Sequence, residues 1–359
     1  MCRPVNIRQR INRIRRLKVD HGANPEDRRS IRISSELSRT IDGELFLWFV
    51  DYDDDDNDEM CDCDTDRILV FATEKNFIIL NKNPHWFGDG TFDVSPLLFK
   101  QLYTINVIES GKNLPMIFAL LPNKKGETYE RLFEIIKIDI QNDPKSIMLD
   151  FEKAAINAVS KWFPLTSIML CYFHLCQNLW KNVQNKGLVT GYSECVDIRK
   201  NFKMLKCLAF VPTKDVIIAF KEISRLSVPE FEPMLTYFEE FYIGTVVNKT
   251  TRRSPMFPIK MWNCYARAMA DLDNVNNSLE SWHKVFEMDC KKHPTINKII
   301  QQFRLEQKNT EVLYAQLKSG DVYHRKQSEV DKRQKIKEIL KNYKKQDLLG
   351  FLDSLGKLM

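Results

Sequence analysis

Between residues 84 and 122 the hydrophobic pattern comes in three consecutive runs. WFGDGTFDV is the first. In LFKQLYTINVI, Phe99, Gln101, Tyr103 and Ile105 alternate with Lys100, Leu102 and Thr104. ESGKN then supplies a glycine-containing turn, and LPMIFALLP is the third run. Such runs, bounded by turn residues, predict strands, the last two joined as a hairpin. The period then changes. From Gly126 and Glu127 onward, Tyr129, Leu132, Phe133 and Ile136 recur at i, i+3, i+4 and i+7, which predicts an amphipathic helix. After Pro144, SIMLDFE is a short apolar run that reads as a buried strand. KAAINAVSKWF reads as a helix stopped near Pro164, SIMLCYF as another buried strand, and HLCQNLWKNVQ as a helix. Three antiparallel strands followed by βαβ units predict an α/β fold: a mixed sheet with helices packed on it.

The flanking sequence extends this outline. ELFLWFVDY and RILVFAT predict two strands on either side of an acidic loop. Residues 190–270 are largely helical in pattern, and DLDNVNNSLESWHKVFEMD, from Asp271, predicts a further helix. The last sixty residues are Lys-rich and helical. Their Ile336, Ile339, Leu340 and Tyr343 fall at helical spacing, a stripe suited to pairing with another subunit. The chain thus divides into a basic leader (1–30), N-terminal strands with an acidic loop at 51–66 (31–83), an α/β core (84–189), a helical insertion (190–270), a helix region closing the core (271–310) and a basic helical tail (311–359).

Composition narrows the class. An apolar fraction of 43% over 359 residues supports a sizeable core. No run of about 18 apolar residues is present, so no membrane span is expected. The N-terminal stretch lacks the apolar segment of a secretory signal. Nine scattered cysteines argue for free thiols in a reducing compartment. The net charge of +6 hides an asymmetry: ten acidic residues and no Lys or Arg lie between Asp51 and Asp66, so the rest of the chain stands at +16. A basic body suits a polyanion, of which nucleic acid is the commonest, although such a surface also serves solubility alone. Arg3, Arg8, Arg10, Arg13, Arg15, Arg16 and Lys18 suit a DNA-contacting arm, a nuclear-import signal or a plain leader. The acidic segment has loosely the spacing of a calcium loop. Asp56, however, stands where that loop needs glycine, and Cys61 and Cys63 lack a second pair for zinc. It reads as a solvated loop.

Candidate chemistry centres on Asp89, set in a strand between Gly88 and Gly90. A buried carboxylate is costly unless a cation accepts it. Asp150 ends the strand predicted to lie beside that of Asp89, so both acids can face one divalent ion. The helix with apolar positions Val275, Leu279, Trp282 and Phe286 carries Asn276, Glu280 and His283 on another face, a third polar contribution. Carboxylates around Mg²⁺ or Mn²⁺ would serve phosphodiester chemistry. The plainer alternative is acids at strand ends and helix starts with no shared task.

These residues carry a family resemblance. WFGDGTFDVSPLLFKQLYTI, PMIFALLPNKKGETYERLFEII, IMLDFEKAAINAV, CYFHLCQNLWKNVQNKGL and NNSLESWHKVF, in that order, resemble a Mutator-like (MULE) transposase domain over roughly residues 30 to 310. The resemblance implies an RNase H-like mixed sheet with helices on both faces and an all-helical insertion before the last catalytic acid. It implies a DDE triad, here Asp89, Asp150 and Glu280, holding two Mg²⁺ or Mn²⁺ ions for DNA cleavage and strand transfer. A C-x-x-H motif falls on Cys171 and His174; support of the site, DNA contact and part of a zinc site are all open to it. Zinc partners would be sought at His283 or Cys290, since a closed site needs four ligands. The implied partners are transposon-end and target DNA and further copies of the chain, with no membrane and no small-molecule cofactor, in the nucleus. The zinc-finger module that often precedes the catalytic part in relatives has no counterpart in the leader. A decayed or domesticated DNA-binding relative without catalysis, and an RNase H-like nuclease on RNA or hybrids, stay open beside the transposase reading.

Overall fold

The computed structural model describes residues 25–50, 66–248, 251–272, 277–290, 292–320 and 327–359, without the side chains of Asn277, Ser278 and Glu280. Most of the basic leader, the acidic loop up to Thr65, and Asn276 therefore lie outside the described residues.

The sheet and its first helices follow the chain as β1 (Leu47–Val50), β2 (Leu69–Phe71), α1 (Glu74–Lys82), β3 (His85–Thr91), β4 (Gln101–Glu109), β5 (Lys112–Leu121), α2 (Gly126–Ile138), β6 (Ser146–Leu149), α3 (Lys153–Trp162), β7 (Ser167–Leu170) and α4 (Tyr172–Asn185). The spatial order is β1-β2-β5-β4-β3-β6-β7. Pairing is antiparallel from β1 through to β3 and parallel across β3, β6 and β7. The mixed sheet expected from the pattern is present. Its long hairpin closes where Glu109 faces Lys112. The two residues between, Ser110 at φ 48° and Gly111 at φ 79°, both take the left-handed conformation that a two-residue hairpin turn requires.

One helix departs from expectation. EKNFIIL, following RILVFAT, forms α1, an element that the strand pattern around it does not announce. Thr73 caps it, its side chain accepting from the Asn76 amide at 3.3 Å, and Phe77 and Leu80 face the core. A short apolar run does not separate helix from strand by periodicity, and the cap decides it.

The insertion is helical, as its pattern predicts: α5 (Val189–Glu194), α6 (Val196–Cys207), α7 (Val216–Leu226), α8 (Glu232–Phe238), a π-helical turn (Glu239–Ile243), α9 (Ile259–Trp262) and α10 (Tyr265–Met269). Then come α11 (Asn277–Cys290), α12 (Ile296–Lys318), α13 (Gln327–Lys341) and α14 (Leu348–Gly356). Among the described residues no helix is long and apolar enough to cross a membrane.

Alternation along β2 sorts the core into two layers. Ile68, Val70 and Ala72 belong to the larger one, with α1 to α4 and the insertion. Leu69 and Phe71 turn to the opposite face, where Phe286 of α11 and Ile299, Ile300 and Phe303 of α12 cover them. Helices therefore lie on both faces. The C-terminal stripe is spent inside the chain rather than left for a partner. Leu340 is fully buried, the Tyr343 hydroxyl donates to Asp215 at 2.9 Å, and Phe351, Leu352 and Leu355 pack with the insertion.

Phe303 stacks on Phe118 at 4.8 Å and lies 6.1 Å from Phe286, so it fastens α11 and α12 to the sheet. Phe303→Ala should cost about 3–5 kcal/mol of unfolding free energy, read from urea denaturation, because the surrounding rings cannot close the void.

Candidate metal centre

The sheet register builds the site. Phe87 of β3 faces Met148 of β6 in the parallel pair. Two residues further along each strand stand Asp89 and Asp150, so the register brings these acids side by side. Leu149 faces Leu170 of β7, and α4 starts directly after β7 and carries His174 in its first turn. The carboxyl ends of the parallel strands and the start of the next helix thus converge, the usual place for a site in such a sheet.

Asp89 is 4% exposed. Its Oδ1 accepts the Gly90 amide at 2.9 Å, and its Oδ2 lies 3.2 Å from His283 Nδ1. Asp150 is half-buried, with Oδ1 2.7 Å from His174 Nδ1. One ligand atom from each of Asp89, Asp150 and His174 lies within 4.8 Å of the other two, and among the described residues no thiol joins this set. Asp150 Oδ1 and His174 Nδ1 are both buried without an aligned hydrogen bond. At 2.7 Å the two atoms are close enough to share a proton, and a cation bound beside them would take that proton's place. Two carboxylates and one imidazole are a hard, mostly oxygen set suited to Mg²⁺ or Mn²⁺.

Electrostatics agree with that reading. Burial, and then the charge of Asp89, push Asp150 up to about 7 against the pull of His174. Burial also opposes the Asp89 carboxylate, but His283 outweighs it and holds that pKa below its ordinary value. Burial lowers the His174 pKa, yet contact with Asp150 and then Cys171 more than reverses this, to about 11. Two acids share a site where a second negative charge is disfavoured, and imidazoles offset it. A divalent ion would supply the same offset.

Other predicted residues fall around this cluster. His283, predicted to share a helix face with Glu280, is 8% exposed and docks α11 on Asp89. Glu280 stands one turn earlier in α11; its side chain, like all of Asn276, lies outside the described residues. Cys171 is fully buried among Phe87, Met148 and Leu279. Cys290 belongs to the separate layer under α12. Among the described residues, then, the C-x-x-H pair does not gather a thiolate zinc set; its histidine joins the acids and its cysteine packs.

Glycines on either side of Asp89 would let backbone and substrate come close. The structure adds a neighbour to that account. A Cβ at Gly88 would stand 2.7 Å from the Tyr103 hydroxyl and 2.9 Å from Leu149, and one at Gly90 would stand 2.6 Å from Gln101 Oε1. Side chains of β4 and β6 occupy the space that the glycines leave.

Several supports had no sequence signal. Phe151, next to Asp150, packs edge-on against Phe257 at 5.0 Å and Tyr242 at 5.8 Å, so the insertion grips the chain at the acid. Arg267 of the insertion donates to the Leu170 carbonyl at 3.1 Å. Neither pairing can be read locally, because the partners are more than ninety residues apart in sequence.

His283→Ala would leave the Asp89 carboxylate without its imidazole. Mn²⁺ binding should then weaken about 10–100-fold by calorimetry, the usual scale for losing an outer partner of a ligand. Phe151→Ala should weaken Mn²⁺ binding as well while the circular dichroism spectrum stays unchanged, because the strut and not the ligand is lost.

Comparison with known proteins bears on this geometry over part of the chain. No curated protein matches the chain. Residues 85–178 match the family model of the MULE transposase domain. The matched segment runs from the first residue of β3 into α4, about a quarter of the chain, and holds Asp89, Asp150, Cys171 and His174 but not α11. Over residues 85–178, therefore, this chain is similar to the MULE transposase domain.

Proposed function

We propose that the protein is a metal-dependent DNA transposase of DDE type, cutting phosphodiester bonds at an element's ends and joining the freed strand to target DNA. The observation that carries this is the placement of Asp89, Asp150 and His174 at one point, inside the segment that matches a transposase domain. The strand order supports an RNase H-like core. Within the run β5-β4-β3-β6-β7, β3 is the middle strand; β4 pairs antiparallel with it and β5 antiparallel with β4 on one side, and β6 and β7 run parallel to it on the other.

Mg²⁺ or Mn²⁺ bound there would activate a water or 3′-hydroxyl nucleophile and stabilise the leaving oxygen. Asp89 and Asp150 would hold the ion, His174 would ligate it or orient Asp150, and Glu280 would complete the acidic set. His283 keeps Asp89 ionised and fixes its direction. The insertion, through Phe151, Tyr242 and Phe257, holds the Asp150 loop still while the substrate is bound. DNA, further copies of the chain and a nuclear location complete the reading.

The test joins two measurements. In calorimetry, Asp89→Asn and Asp150→Asn should each weaken Mn²⁺ binding by at least about tenfold, since losing a ligand exceeds losing an outer partner. In a nicking assay on supercoiled plasmid with Mn²⁺, the wild type should produce open circles and both variants should not. Metal binding that neither substitution changes would sink the proposed site. Specific binding without nicking would turn the reading toward a DNA-gripping relative that no longer cuts.

A further inference from the structure

Beside Asp150 the surface opens into a cleft of about 260 Å³. Its floor includes Gly88, Gly90 and Asp150. One wall is α4, which presents His174, Gln177, Asn178 and Lys181. These stand at i, i+3, i+4 and i+7, so a single face of the helix lines the cleft with polar groups. The opposite face buries Leu175, Leu179 and Val183. The other wall carries Phe92, three residues after Asp89, and Lys124, which follows β5.

Phe92 is 43% exposed. A large ring left in water just past the end of β3 is unlike the aromatics within that strand, where Trp86 and Phe87 are buried. The Lys124 ammonium lies over its face, 4.3 Å from the ring centroid. Lys124 also pairs with Glu152 at 2.9 Å, which offsets the second carboxylate at this end of the cleft. Across from it Lys181 is exposed. An aromatic face with a cation on one bank, and amides with a cation on the other, are the two elements of a single-strand site: stacking for a base, charge and hydrogen bonds for the backbone.

We propose that this cleft seats an unpaired DNA strand next to the bond that reacts. Phe92 stacks a base, with Lys124 moving from the ring to the adjoining phosphate. Gln177, Asn178 and Lys181 hold the sugar-phosphate on the far side of Asp150. Duplex DNA does not satisfy the ring, because its bases keep their faces against one another. The proposal rests on the reading of the centre as a DNA phosphodiester site, and it adds which strand form enters and which residues grip it.

The experiment is fluorescence anisotropy of the full chain with a fluorescein-labelled single strand of mixed sequence, and with its duplex, in EDTA across a salt series. Phe92→Ala should weaken single-strand binding roughly five- to a hundredfold, the range of one base stack. It should leave duplex affinity within about twofold, and Phe92→Tyr should restore the single-strand value. Lys181→Gln should lower the slope of log affinity against log salt by about 0.7, one phosphate contact on a single strand. Lys221→Gln, on the exposed side of α7, should leave the slope unchanged. Both cleft positions are solvent-facing, so folding is not at stake. Wild-type affinity and slope in Phe92→Ala and Lys181→Gln, with DNA still bound by the wild type and Mn²⁺ still lost in Asp150→Asn, would overturn the cleft and spare the metal-site reading. A wild type that binds neither DNA form would overturn both.

Discussion

The parallel pairing of β3 with β6 is the contact on which the rest depends. Its register sets Phe87 against Met148 and so sets Asp89 beside Asp150 two residues later. Strand side chains alternate with a period of two, so a slip of one residue would turn one acid to the opposite face. The helices between these strands serve the same alignment. α2 carries the chain from β5 to β6, and α3 carries it to β7. The site is thus a property of sheet register first and of side-chain chemistry second.

Two bodies outside the sheet then hold the acids against it. α11 reaches Asp89 through His283, while the aromatic stack of Phe118, Phe303 and Phe286 keeps that helix in place. The insertion reaches Asp150 through Phe151, wedged between Phe257 and Tyr242. Each acid therefore has its own brace, and the braces arrive from opposite faces of the sheet. His174 on α4 links the second acid to the strand beyond it. A charge cluster this buried needs such fixing, since unpaired carboxylates would otherwise take up water or protons.

The strands, the turn at Ser110 and Gly111, the helix stripe of Tyr129, Leu132, Phe133 and Ile136, and the pair Asp89 and Asp150 were legible in the chain because each rests on local period or adjacency. His174 and His283 were legible as motif positions, but not as the separate partners of the two acids. α1 was missed because Phe77, Ile78, Ile79 and Leu80 form a run that fits either period until the Thr73 cap is seen. The C-terminal stripe showed which residues are apolar and not what covers them, and its partner proved to be the chain's own insertion. The Phe151 brace joins residues that nothing nearby in sequence ties together, so only the fold reveals it.

The return of α13 and α14 onto the insertion has a consequence for how the molecule is made. Phe202 and Leu205 of α6 share a core with Phe351, Leu352 and Leu355 of α14. Well over a hundred residues separate the two halves of that core, so a nascent chain must hold α6 with its apolar face bare while those residues are synthesised. Contacts of such high sequence separation form late and slowly. The sheet, whose strands all precede residue 171, is available earlier. The order of synthesis thus lets the two acids meet before the helical body that braces one of them is closed. Until then the half-built chain would present sticky surface to its neighbours on the ribosome.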